Sequence, residues 1–171
     1  MSPVRRLDPP TPDEIEQLAQ TLVACVAAGA SIGWVRVPSL EAARAFWQGV
    51  AAGVARGERL CWGAEHGGRL VGTVSLVVDQ PENGALRAEL VKLMVHPDAR
   101  RLGLAQALMD AAEHEAQARG KRLLVLDTNT DSPAERLYAQ RGWQRCGVMP
   151  DYAIQADGRL GATTWMFKRL P

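Results

Sequence analysis

Three separated groups of residues in this 171-residue chain have types and spacings suited to chemistry. They are a cationic, glycine-containing helix start in HPDARRLGLAQALM (residues 96–109), a strand acid, Glu89, in AELVKLMV, and Tyr138 in SPAERLYAQRGW. The first N–H groups of a helix have no intrahelical partner and carry partial positive charge. Arg100 and Arg101 add cations where the helix dipole opposes them, while Gly103 and Ala105 leave the backbone bare. That combination suits a diphosphate held on free N–H groups. A plainer reading has Asp98 as the cap, the helix starting at Ala99, solvated arginines, and Gly103 as a defect costing about 1 kcal/mol. The next helix carries its own closure: Ser132-Pro133-Ala134-Glu135 reads as a capping box with proline at the first helical position. The cationic stretch fits neither G-x-x-x-x-G-K-[ST] nor G-x-G-x-x-G, which disfavours a P-loop or a dinucleotide-binding fingerprint.

These groups need a scaffold, and composition bounds it. Twenty basic against nineteen acidic residues give a net charge of +1. With no long run of one sign, the footprint of a nucleic-acid binder is missing. Nearly half the chain is hydrophobic, enough for one core, so residues 1–171 are expected to form a single domain. Cys25, Cys61 and Cys146 are odd in number and far apart, unlike a disulfide framework or thiolate metal site; packing is the expected role of each. His66, His96 and His114 do not cluster, so no metal is expected. The apolar run from Leu22 is too short to span a bilayer, and MSPVRRLDPP has no signal-peptide hydrophobic region. A soluble, cytoplasmic protein is the expectation.

Hydrophobic periodicity orders the elements. After a short VRRL segment, a helix begins with Thr11 as N-cap and Pro12 at its first position; a second begins after Ser39, is weakened by Gly49 and Gly53, and ends at Gly57. RLCWGAE, GRLVGTVSLVVD and RAELVKLMV then read as an antiparallel meander. A long helix closed by Gly120, the buried strand KRLLVLDT, a short helix SPAERLYAQRG and two strands, QRCGVMPDYAI and ATTWMFKRL, complete the chain. The order β-αα-βββ-α-β-α-ββ predicts an α/β fold: one mixed sheet flanked by helices, with a parallel crossover from Ala88 to Asp127. Ligands in such sheets gather at the strands' carboxyl ends, beside the crossover helix's N-terminus. Trp47, Trp62 and Trp165 are expected in the core.

Arg100-x-x-Gly103-x-Ala105, following an apolar strand and His-Pro, resembles the [QR]-x-x-G-x-[GA] acetyl-CoA loop of the GNAT superfamily of N-acetyltransferases. Its setting agrees: Glu89 stands eleven residues before Arg100, and Ala134, Tyr138 and Gly142-Trp143 match the later A-x-x-x-Y helix and its G-[FY] turn, with Trp143 in the aromatic place. The likeness runs from about Arg69 to Trp143. LVKLMVHPDARRLGLAQALM, LDTNTDSPAERLYAQRGW, GASIGW and MPDYA are similar in style to the tabtoxin-resistance acetyltransferases. The sequence departs from the superfamily at Asp131, where many members have asparagine. A carboxylate there cannot donate an amide hydrogen bond to the pantetheine, which leaves Ser132 or Asn129 to take over.

The resemblance implies an acetyl-CoA co-substrate and a set of roles. Arg100, Arg101, Leu102, Gly103, Leu104 and Ala105 would cradle its diphosphate; Leu93, Met94 and Val95 would pair their backbone with the pantetheine arm, with an oxyanion-binding N–H near Met94; Asn129, Ser132, Ala134 and Tyr138 would line the far side. Moving an acetyl group from thioester to amine requires an amine of pKa about 10 to lose a proton and a thiolate of pKa about 8.5 to gain one. Tyr138, a neutral phenol at pH 7, is the candidate acid, and Glu89 is the candidate base, directly or through water. Ser31, Trp34, Glu89, Asp127 and Tyr152 are the candidates to bind the acceptor, while Asp151 and Asp157 suit either an ammonium or a turn. A small primary amine ranks first, because GASIGWVRVP and MPDYAIQADGRLG are long enough to lid a pocket. A non-catalytic acyl-CoA sensor and a protein N-terminal or lysine acetyltransferase are the alternatives. A homodimer is implied only by what is common on this fold.

Overall fold

A computed structural model describes residues 3–171. The element order is the expected one: β1 (Val4–Leu7), α1 (Pro12–Ala27), α2 (Leu40–Ala55), β2 (Arg59–His66), β3 (Arg69–Val77), β4 (Arg87–Val95), α3 (Leu104–Ala118), β5 (Leu123–Asn129), α4 (Pro133–Gln140), β6 (Gln144–Ile154) and β7 (Leu160–Arg169). Helix α1 starts on a Thr11 capping box with Pro12 behind it, and Ser39 caps α2 through the Ala42 N–H. The seven strands form one sheet in the order β1-β2-β3-β4-β5-β7-β6, antiparallel except where β4 and β5 run parallel.

Two cores sandwich the sheet. On one face α3 buries Leu108, Met109 and Ala112 against Leu76, Leu90, Leu124 and Leu126, joined by Tyr138 and Trp143. On the other, α1 and α2 bury Leu18, Leu22, Trp47 and Val50 against Leu7, Cys61 and Met94. Trp165 departs from expectation: it is only half-buried on β7, its ring edge-on to Tyr152. Strand β6 at the sheet's end has almost every residue exposed.

Two irregularities open the sheet. Opposite β3, Val91 pairs with Ser75 and Met94 with Thr73, so Lys92 and Leu93 together face Val74 as a bulge, with Lys92 at φ +55°. A bulge adds one residue and reverses which face the following side chains meet. Leu90 accordingly packs with α3, and Met94 with α1 and α2. Next, β4 and β5 pair only from Arg87 to Glu89 against Leu123 to Val125. Beyond those residues β5 remains on β7, while β4 continues to Val95 against β3 alone. The two parallel strands part into a wedge at their carboxyl ends.

Candidate active site

The wedge points at the start of α3. That helix begins at Leu104 with Gly103 as its N-cap at φ +75°, no side chain closes it, and its first turn holds no acid. Asp98 does not cap it: it lies in a separate short turn, where its N–H donates to His96 Nδ1 at 3.3 Å. The left-handed conformation at Gly103 follows another at Arg101, φ +62°. A β-carbon on Gly103 would meet nothing within 4 Å, so what calls for glycine is the backbone conformation and open space above the loop. The α3 N-terminus therefore keeps free donors, positive potential and bare backbone where an anion can approach.

The start of α4, by contrast, is closed by side chains. Ser132 Oγ accepts from the Glu135 N–H at 3.1 Å, but Glu135 Oε2 takes the Asp131 N–H at 2.6 Å. The expected capping box is thus displaced by one residue, because Asp131 sits at φ +61° and turns its N–H toward the helix. The short helix buries Tyr138 in the core on the α3 face.

A cleft of about 420 Å³ runs from the α3 loop into the wedge, lined by Leu93, Met94 and Val95 on one side and Asn129, Ser132, Ala134 and Tyr138 on the other, with Arg100 and Ala105 at the loop end. Arg101, Leu102, Gly103 and Leu104 are not among its lining side chains; they form the turn beside it. Asp131 does not line it, whereas Asn129 and Ser132 do. Asn129 is already engaged, its Nδ2 donating to Gln155 Oε1 at 3.0 Å. Among the described residues Ser132 Oγ serves only as an acceptor, which leaves its own hydrogen available.

A second cleft of about 480 Å³ meets the first from the opposite side, lined by Ile32, Trp34, Val35, Lys92, Asp127 and Tyr152 among others. Ser31, Leu93, Ala134 and Tyr138 line both. The structure therefore brings Ser31, Trp34, Asp127 and Tyr152 together as expected acceptor-side residues. Glu89 lines neither cleft. It is half-buried behind Lys92 and Asp127, and burial, then the Asp127 charge, push its carboxyl above the usual glutamate range. Burial also raises the Asp127 carboxyl, against the pull of Lys92.

Tyr138 is only 6% exposed. Burial, then the Asp127 charge, push its phenol well above the ordinary tyrosine value, so it stays protonated at any ordinary pH. Its ring packs on Trp143 with centroids 5.9 Å apart, and among the described residues its hydroxyl has no hydrogen-bond partner. Tyr138 is thus a buried, protonated phenol on a residue that lines both clefts.

Sequence reasoning missed Lys92 as a wall of the site, though it marked the α1–α2 loop through Ser31 and Trp34. Lys92 Nζ donates to the Ile32 carbonyl at 2.8 Å and lies over the Phe46 ring at 5.6 Å, tying that loop to the bulge. The signal was present: strict alternation from Ala88 and Leu90 through Met94 would bury a lysine, which a strand avoids by bulging. Cys25, expected only to pack, also lines the first cleft. Its Sγ donates to the Val95 carbonyl at 3.4 Å, and burial raises its thiol, with Arg100 close enough to oppose the shift.

A split sheet with a bare helix end at one mouth and a second cleft at the other is an arrangement that suits an acyltransferase, and the comparisons with known proteins agree. The chain matches the Acetyltransferase (GNAT) family over residues 30–143. It is 32% identical over 142 residues to an uncharacterized N-acetyltransferase from the hisH–hisA intergenic region of Azospirillum brasilense, covering 82% of this chain and 83% of that protein. In structure it is similar to a ribosomal-protein-alanine N-acetyltransferase from Brucella melitensis, with TM-score 0.80 and 24% identity over 98% of this chain and 99% of that one. It is also similar to yncA, a candidate acetyltransferase from Salmonella typhimurium solved with its cofactor acetyl-CoA, with TM-score 0.78 and 21% identity over 98% and 93% of the two chains. The chain belongs to the GNAT family of N-acetyltransferases, whose co-substrate is acetyl-CoA. Among the described residues no helix is long and apolar enough to cross a membrane, and no group of three metal-ligating side chains occurs.

Proposed function

We propose that this protein transfers the acetyl group of acetyl-CoA directly to the primary amine of a small molecule, with Tyr138 as general acid and Asp127, or Glu89 through water, receiving the amine's proton. One observation carries the reading: two clefts, one leading from a bare helix end and one walled by Lys92 and Asp127, share Tyr138 in their lining.

The residues present fit the co-substrate. The uncapped turn from Arg100 to Ala105 offers backbone donors and cations to a diphosphate. Where β4 has left β5, residues Leu93 to Val95 offer strand backbone to an extended amide-bearing arm, in the manner of strand addition. On the other wall Ser132 offers its hydroxyl hydrogen and Asn129 the second hydrogen of its amide, the two candidates for the role that Asp131 cannot fill.

Acetyl-CoA brings an activated thioester; the chain's own groups govern protons and position. A backbone N–H near Met94, freed by the bulge, is suited to the oxyanion that develops when an amine adds to the carbonyl. Tyr138 donates its proton to the sulfur as the C–S bond breaks. Asp127 faces the acceptor cleft and Glu89 stands behind it; both have raised pKa values, which makes them better bases than exposed carboxylates. Glu89 would act through water, since it does not reach the cleft wall.

The test is thiol release from acetyl-CoA across a panel of primary amines, with CoA binding measured separately. Turnover on at least one small amine is expected. Tight CoA binding with no turnover on any of them would replace the enzyme with a sensor.

A further inference from the structure

We infer that the acceptor is a monoamine with an apolar aryl or branched-alkyl body, and that this cleft excludes polycationic amines. The inference rests on the acetyl-transfer reading above and narrows its acceptor half.

Charge is the first argument. Among the described residues, Lys92 and Asp127 are the only charged side chains lining the acceptor cleft. One carboxylate serves one ammonium. A polyamine or an aminoglycoside brings several, and each further ammonium would be desolvated without a partner, a costly state. Lys92 adds repulsion, and it is pinned in place by the Ile32 carbonyl at 2.8 Å and the Phe46 ring.

The rim is the second argument. Val35, Tyr152 and Ile154 are 41%, 45% and 53% exposed, yet all three line this one concavity together with Trp34. None of the three is buried in either core. Large apolar side chains that leave the core and converge on a cleft of small-molecule size mark ligand contact. The aromatic members are held in place: Trp34 is edge-on to Phe46 at 6.5 Å, and Tyr152 to Trp165 at 6.4 Å. Rigid rings lose little entropy on binding. The backbone supports the placement of Tyr152, since the β6 register shifts between Met149 and Ala153 and Asp151 sits at φ +53°. Such an irregularity at a sheet edge re-aims side chains toward a site.

The test is calorimetric titration of the CoA-loaded protein with 2-phenylethylamine, ethylamine and spermidine, with acetyl transfer to each read separately by thiol release. 2-Phenylethylamine is expected to bind at least about tenfold more tightly than either of the others. Tyr152→Ala, on an exposed edge strand, should remove about tenfold of its advantage over ethylamine. Lys92→Met should improve spermidine relative to 2-phenylethylamine by about tenfold. Equal or tighter binding of ethylamine or spermidine, or no amine binding at all, overturns the inference. The expected binding order without any turnover would support it while removing the acetyl-transfer reading on which it was built.

Discussion

Tyr138→Phe separates chemistry from packing more cleanly than any other change in this molecule. The substitution removes one oxygen that has no hydrogen-bond partner among the described residues, and it keeps the ring that packs 5.9 Å from Trp143. No protein hydrogen bond is lost and no cavity forms, so the stability change is expected within about 0.5 kcal/mol. In a domain of this size that is a melting shift under about 2 °C. The wild-type phenol is held protonated by burial and by the Asp127 charge, so its loss as a proton donor should be felt equally at pH 6 and pH 9. General acid catalysis contributes about 10²- to 10⁴-fold, or roughly 3 to 5 kcal/mol of barrier. Steady-state kinetics with acetyl-CoA and a saturating amine should therefore show kcat falling at least about 100-fold, with acetyl-CoA affinity within about threefold. A kcat within twofold of wild type at unchanged melting temperature would refute the assignment. A large melting shift would mean that the hydroxyl has a structural role the geometry does not contain.

Three further outcomes follow from other parts of the site. Gly103→Ala places a β-carbon in open space at φ +75°; the left-handed strain should cost about 1 kcal/mol by thermal melting, and KM for acetyl-CoA should rise while kcat holds. Ser132→Ala removes the 3.1 Å acceptor of the Glu135 N–H and should cost about 1 kcal/mol, a loss that Ser132→Thr should largely avoid. Glu89→Gln tests a carboxyl whose native pKa is raised by burial and by Asp127. A raised carboxyl pKa means the charged form is disfavoured in the fold, so the penalty is absent below the unfolded value of about 4.3 and complete above the native value. The variant should melt higher than wild type at pH 7 to 8 and equal to it below pH of about 4. If Glu89 also carries the proton, the acid limb of kcat/KM, lying above the ordinary glutamate range, should vanish in the same variant; a limb that stays would assign the proton to Asp127 instead.

How far the sequence discloses such a site depends on whether a residue's role is local. Caps and turns are local: Thr11, Ser39 and Gly103 take the conformations their neighbours dictate, and strand β6 begins and ends at the residues that the pattern marks. The proposed acetyl-CoA side is also mostly local, since Arg100 to Ala105 span one loop and the first turn of α3, and Ser132 to Tyr138 one cap and its helix. The acceptor side is not. Ile32 and Trp34 come from the α1–α2 loop, Lys92 from a bulge, Asp127 from β5, and Tyr152 from the edge strand. No window of sequence contains two of these elements, and only the parting of β4 from β5 makes them neighbours.

That parting explains why the bulge at Lys92 matters twice. Without the extra residue, Met94 would stay on the α3 face with Leu90, and the Lys92 ammonium would enter the same core. With it, Met94 seals the α1–α2 core, and Leu93 turns to the wedge that both clefts share. Lys92 meanwhile is left at the cleft wall, where its hydrogen bond to Ile32 holds the acceptor loop. One inserted strand residue thus keeps a cation out of the core, exposes strand backbone on the co-substrate side, and fixes the acceptor wall. The same β4 sequence, AELVKLMV, therefore encodes both halves of the site through a single break in its alternation.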